Sequence, residues 1–212
     1  MPIIWVRVPK CGATSFLHVL RENGMQARNL KKVQCAGIDN LNHLKNEVAI
    51  LTGPNGNSYY DYASVRNTWS FAVVRNPWAR VVSAWRFCTL LKNKTLRRVL
   101  QELPHKNQFD GIYADADPSE LKSAWYHLTL PQVQFVKDRQ GNMRPNRIIK
   151  LEEIAVGMDP VWDHLGLPKQ EMPRLNTSGH PRYTEYYDAK TRKMVDRLFE
   201  EDIQTFGYSF GL

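Results

Sequence analysis

Two groups of residues in this 212-residue chain have the types and spacing to hold an anion. The first is Pro9-Lys-Cys-Gly-Ala-Thr-Ser15, with an ammonium at Lys10, hydroxyls at Thr14 and Ser15, and little bulk at Gly12 and Ala13. A lysine brings a mobile point charge, hydroxyls donate hydrogen bonds, and small residues let backbone N–H groups close on a ligand. The second is Arg75 followed by Ser83. A guanidinium is a planar fork that can give a phosphate paired, charge-assisted bonds. Each group also has a plainer reading. The loop is an ordinary strand-to-helix connection, Arg75 is an ion pair at a strand end, and Ser83 is a small residue at a close helix contact.

The elements around these residues decide what they can do. Ile3, Ile4, Val6 and Val8 form an apolar, β-branched run that reads as a buried strand and stops at Pro9, which has no N–H for a ladder. Thr14 or Ser15 can cap a helix carrying Phe16, Leu17, Val19 and Leu20. Strand, small-residue loop and helix start is a geometry that points free amides and the helix dipole at one spot. The Walker spacing is absent, because the lysine precedes the glycine. Phe71–Val74 is a second apolar strand, and Pro77 suits a first helical position. From Ala79, the residues Val81, Val82, Trp85, Leu90 and Leu91 fit one helix face, with Ser83 about one turn inside. Arg75 therefore follows the carboxyl end of a strand, where open α/β sheets bind ligands.

Elsewhere the alternation continues. Val48–Thr52 and Arg147–Glu153 read as a strand and a strand running into an acidic turn; Leu96–Leu103 reads as an amphipathic helix. Asp159-Pro160 opens a helix that Gly166 stops, and Asp188–Phe206 has the apolar spacing of one terminal helix. Strands interleaved with helices give one α/β domain over residues 1–212, with a surface loop or lid inserted at about 104–130. Hydrophobic content of 42% and charged content of 24% are those of a soluble protein. No apolar run approaches the ~20 residues of a membrane span, and the N-terminus enters the first strand directly, so the reading is cytoplasmic. A net charge of +8 suits an anionic ligand, though net charge alone says little about a site. Cys11, Cys35 and Cys88 have no metal-ligand spacing and read as reduced thiols; Cys11 lies where Lys10 and a helix start could lower its pKa.

Taken together, Pro9–Ser15 and Val74-Arg-Asn-Pro-Trp-Ala-Arg-Val-Val-Ser83 resemble the sulfotransferases that use 3′-phosphoadenosine 5′-phosphosulfate (PAPS). The family's first motif runs roughly P-K-[TCS]-G-[GAST]-[TS]-[ST] and its second is an Arg-x7-Ser pair. The match is closest to the carbohydrate-type branch, although Ala13 stands where glycine is more usual. The resemblance extends to Pro131-Gln132, to the strand ending near Glu152, to Arg174–Ser178 and to Phe206-Gly-Tyr208. It implies a P-loop-like three-layer α/β fold with a central, mainly parallel sheet flanked by helices.

The resemblance also implies roles. Pro9, Lys10, Cys11, Gly12, Ala13, Thr14, Ser15 and Phe16 would surround the 5′-phosphosulfate, and Arg75 and Ser83 would hold the 3′-phosphate. Lys10 would stabilise charge on the bridging oxygen as PAP, 3′-phosphoadenosine 5′-phosphate, leaves. Phe16 or Trp78 could stack near the adenine. A donor without a triphosphate calls for no bridging metal. Asp61 and His127 are the candidate bases, with Glu152 a third. The expected partner is a hydroxyl or amine acceptor, a carbohydrate first, with His105, Lys106 and Lys122 in the segment that would shape its site; no nucleic acid is expected. Two other readings compete: a P-loop-like kinase or ATPase, and a non-catalytic binder of nucleotide or acidic polymer.

Overall fold

The computed structural model describes residues 2–29, 47–52, 65, 67–91, 93–102, 124–173, 175 and 181–211. Its sheet has five strands: β1 (Ile3–Arg7), β2 (Gln26–Asn29), β3 (Glu47–Thr52), β4 (Ser70–Val74) and β5 (Arg147–Lys150). Their order is β2-β3-β1-β4-β5, and every pairing is parallel. The fold is α/β, as the alternation of strands and helices implies.

The most apolar strands lie in the middle. Ile3, Ile4, Trp5 and Val6 of β1 are all buried, as are all five residues of β4. A parallel sheet covered on both faces requires such unbroken apolar runs. Trp5 pairs with Ile50 on one side and Phe71 on the other. The margins are polar: β2 is the alternating Gln-Ala-Arg-Asn, and Arg28 pairs with Glu47 of β3 at 2.8 Å. Charged margins discourage further strand pairing. The chain leaves β1 toward β2 on one side of the sheet, whereas β4 leads to β5 on the other. That reversal puts the ligand crevice of an open parallel sheet at the carboxyl ends of β1 and β4.

The described residues form two compact units. Residues 1–74 and 132–178 make the first, and residues 75–131 and 179–212 the second. In the first, helix α1 (Ala13–Glu22) buries Phe16, Val19 and Leu20. Phe16 packs edge-on to Trp5 at 4.9 Å and to Phe71 at 5.5 Å, and tilted against Trp162 at 5.7 Å, so aromatic rings tie helix to sheet. The same unit holds the short helices α4 (Val133–Val136), α5 (Ile154–Gly157) and α6 (Asp159–Leu165). Gly166 ends α6 in the left-handed conformation expected of a terminating glycine.

The second unit holds α2 (Pro77–Phe87), α3 (Leu96–Glu102), α7 (Ala189–Leu198) and α8 (Glu200–Phe206). Two expectations change here. Helix α2 stops at Phe87, where Cys88 turns extended, and Leu91 belongs to a separate 3-10 turn. The terminal segment is two helices rather than one, divided at Phe199 (φ −124°, ψ 28°). Hydrogen bonds run on through the break, from Phe199 N–H to Val195 O and from Ile203 N–H to Phe199 O. The apolar spacing is therefore kept across the break. Phe199 is fully buried, with the Arg80 guanidinium 4.9 Å from its ring centre, and Glu200, Glu201 and Asp202 place acid in the first turn of α8.

Candidate active site

The loop between β1 and α1 is built around an unusual backbone. Lys10 has φ +66° and Gly12 has φ +81°, both left-handed. The positive φ is what calls for glycine at position 12; a Cβ there would also lie 2.8 Å from Leu151 Cδ1, the tip of a side chain on the turn that follows β5, which would have to shift. Because Gly12 is the N-cap, the helix starts at Ala13, and no side chain caps it. Thr14 and Ser15 thus lie inside the first turn instead of capping it, Thr14 exposed and Ser15 half-buried. The first intrahelical bond runs from Phe16 N–H to Gly12 O, which leaves the amides ahead of it without helical acceptors. The first turn also carries no acidic residue. Uncapped amides and the positive end of the dipole favour an anion at this spot, beside the half-buried Lys10.

Two loop residues differ from their sequence reading. Cys11 is buried, with Sγ 3.4 Å from Pro9 O and 3.3 Å from Gln132 Oε1, so its thiol serves the interior. Phe16 belongs to the aromatic core, which removes its ring from any stacking role. Gln132 was visible in sequence only as half of Pro131-Gln132; its fully buried side chain is reached by folding alone.

The second group begins where β4 ends. Arg75 is half-buried, and Asn76 directly after it is buried and caps α2 by accepting from Ala79 N–H at 3.2 Å. The Asn76 amide donates to Tyr183 Oη at 3.3 Å and Ser209 O at 3.1 Å. Asparagine thus supplies one acceptor and two donors, and fixes the turn that carries Arg75. Trp78 is core, donating from its indole to Asp196 at 2.9 Å and packing edge-on to Phe210; it too has no ring face to offer a base. Arg80, the second arginine of the motif, is 1% exposed and donates to Leu130 O at 2.6 Å. It braces the unit from inside. Ser83 is the seventh residue of α2, nearly two turns in rather than one, and half-buried.

The model of the sulfotransferase family matches residues 1–209 of the chain. The protein belongs to the sulfotransferase family. A crystal structure of a sulfotransferase from Alicyclobacillus acidocaldarius aligns over 98% of this chain and 99% of that one, at 14% identity and a TM-score of 0.47. No curated protein matches the chain.

The residues read in sequence as candidate bases and acceptor-site groups remain to be placed. Asp61 lies outside the described residues, as do His105, Lys106 and Lys122. His127 is half-buried in the second unit, edge-on to Phe87 and to Tyr126, each at 5.3 Å. Glu152 is exposed on the turn after β5, next to Leu151, whose side chain backs Gly12. Among the described residues, no group of three or more His, Cys, Asp or Glu is placed to hold a metal ion, and no helix is long and apolar enough to cross a membrane.

Proposed function

We propose that this sulfotransferase moves a sulfuryl group from PAPS to a hydroxyl or amine acceptor, with a carbohydrate as the first class to test. The observation that carries the reading is the uncapped start of α1 directly behind a left-handed Lys10. Amides of residues 12–15 and the hydroxyls of Thr14 and Ser15 would hold the 5′-phosphosulfate. Lys10 would meet the charge that grows on the bridging oxygen as PAP departs. Arg75 and Ser83 would take the 3′-phosphate, the group that separates this donor from ATP. Arg75 would have to lie back along α2 to share a ligand with Ser83, a pose a long, forked side chain permits. Asp61 and His127 are the bases proposed to take the acceptor's proton.

Calorimetry with PAP and with Mg-ATP tests the donor. PAP should bind at least about tenfold more tightly, a difference of about 1.4 kcal/mol. Arg75→Ala should erase that preference. Equal affinity, or no PAP binding, overturns the reading. Incubation with radiolabelled PAPS over glycans, tyrosyl peptides, lipids and small alcohols tests the acceptor; label confined to the last three would overturn the carbohydrate assignment.

A further inference from the structure

Among the described residues Lys10 is the one non-glycine with positive φ. That conformation costs an L-residue roughly 1–2 kcal/mol and persists where its surroundings over-determine it. The surroundings of the loop are specific. On one side the Leu151 side chain packs over Gly12, its Cδ1 2.8 Å from where a Cβ would lie. On the other, Cys11 is 2% exposed and its thiol lies 3.3 Å from Oε1 of Gln132, which is itself 0% exposed. The alternative acceptor, Pro9 O at 3.4 Å, belongs to the loop and cannot anchor it to anything else. Gln132 can. It stands immediately before α4, whose Val133, Phe135 and Val136 are buried and which packs against β1, the strand that delivers the loop.

We infer that Gln132 is a positioning residue of the sulfuryl-transfer site: its carbonyl holds the Cys11 thiol, and so keeps Lys10 in the left-handed conformation that aims its ammonium. This deepens, and rests on, the reading of Pro9–Ser15 as the donor loop. The thiol is the donor and the amide oxygen the acceptor; no covalent step is involved. A S–H donor is weak, but burial removes the competing water that would make such a bond worthless.

The experiment uses the full chain as wild type, Gln132→Leu, Cys11→Ala, Cys11→Ser and the double variant Cys11→Ala/Gln132→Leu. Leucine keeps most of the volume and removes the acceptor; serine keeps a donor. Two quantities are read, PAP affinity by calorimetry and the rate of Cys11 alkylation by iodoacetamide, mapped by mass spectrometry. Gln132→Leu should weaken PAP by about threefold, the low end of one hydrogen bond's worth because the donor is a thiol, and raise the Cys11 alkylation rate by at least a similar factor. Adding Gln132→Leu to Cys11→Ala should cost little more, because the pair acts as a unit. Equal losses in both backgrounds, or an unchanged alkylation rate, overturn the inference. If Gln132→Leu does not fold, the cysteine pair decides: Cys11→Ser should bind PAP more tightly than Cys11→Ala, and equality refutes it. If the wild type binds no PAP, the functional reading fails, and the alkylation rate alone decides whether Gln132 fastens the loop.

Discussion

Replacing Lys10 by glycine and by alanine separates what its backbone does from what its charge does. Both variants lose the ammonium; only alanine keeps a Cβ at φ +66°. A left-handed L-residue pays roughly 1–2 kcal/mol, which glycine escapes. Against this, glycine gives the unfolded chain more freedom, worth about 0.4–1 kcal/mol. The difference leaves Lys10→Gly ahead of Lys10→Ala by about 0.5–1 kcal/mol, or about 1–4 °C in melting temperature for a chain of this size. At an ordinary loop position the order is reversed, so the sign of the gap is the test. Function should fall in both. One bond from a charged group to phosphate is worth about 1.5–3 kcal/mol, roughly 10- to 150-fold in PAP affinity. Turnover with labelled PAPS should drop by about 10²–10³, the usual cost of removing a group that stabilises developing charge. Thermal unfolding, calorimetry and the turnover assay read the three quantities. Lys10→Ala melting above Lys10→Gly refutes the backbone argument. Turnover within about tenfold of wild type in either variant refutes the placement of Lys10 at the leaving group.

Two further outcomes follow from the second unit. Asn76→Ala removes a helix cap together with two donations from the same amide, to Tyr183 Oη and Ser209 O, and should cost about 2–4 kcal/mol in denaturant unfolding. Asn76→Ser keeps a neutral cap acceptor without burying a charge and should fall between wild type and alanine; a serine variant no better than alanine would refute the capping role. Asp188 accepts from the Thr191 N–H and hydroxyl and also pairs with Arg97, which together hold its carboxyl down to about 2. Because the folded value lies below the unfolded one near ~3.9, the stability it gives is complete above that value and is lost as pH falls toward the folded value. The melting-temperature gap between wild type and Asp188→Ala should therefore be constant near neutrality and narrow in acid; a gap unchanged down to a pH of about 2 refutes the linkage.

Local signals account for much of the fold. The β-branched run of β1, the proline that ends it, the apolar β4 and the Asn-Pro start of α2 each lie within a few residues, and each forms where such chemistry predicts. The residue types of the loop Pro9–Ser15 were legible for the same reason. Their roles within the loop were not. Gly12, in the left-handed region, starts α1 earlier than a Thr14 or Ser15 cap would, with the Leu151 side chain packed over it. Arg80, the second arginine of the motif, is buried against Leu130 O, 50 residues away, and Phe199.

The sequence by itself determined the alternation of strands and helices, the order of the two motifs around Lys10 and Arg75 and the chemistry each can offer, since these depend on side-chain type and short-range spacing. Tertiary structure decided the rest. It brought Gln132 to Cys11 across 121 residues, sent Phe16 and Trp78 into cores, and split the terminal helix at Phe199. Periodicity reports which face of an element is apolar. It does not report which distant side chain that face will meet, because that depends on strand order, and strand order is a property of the whole sheet.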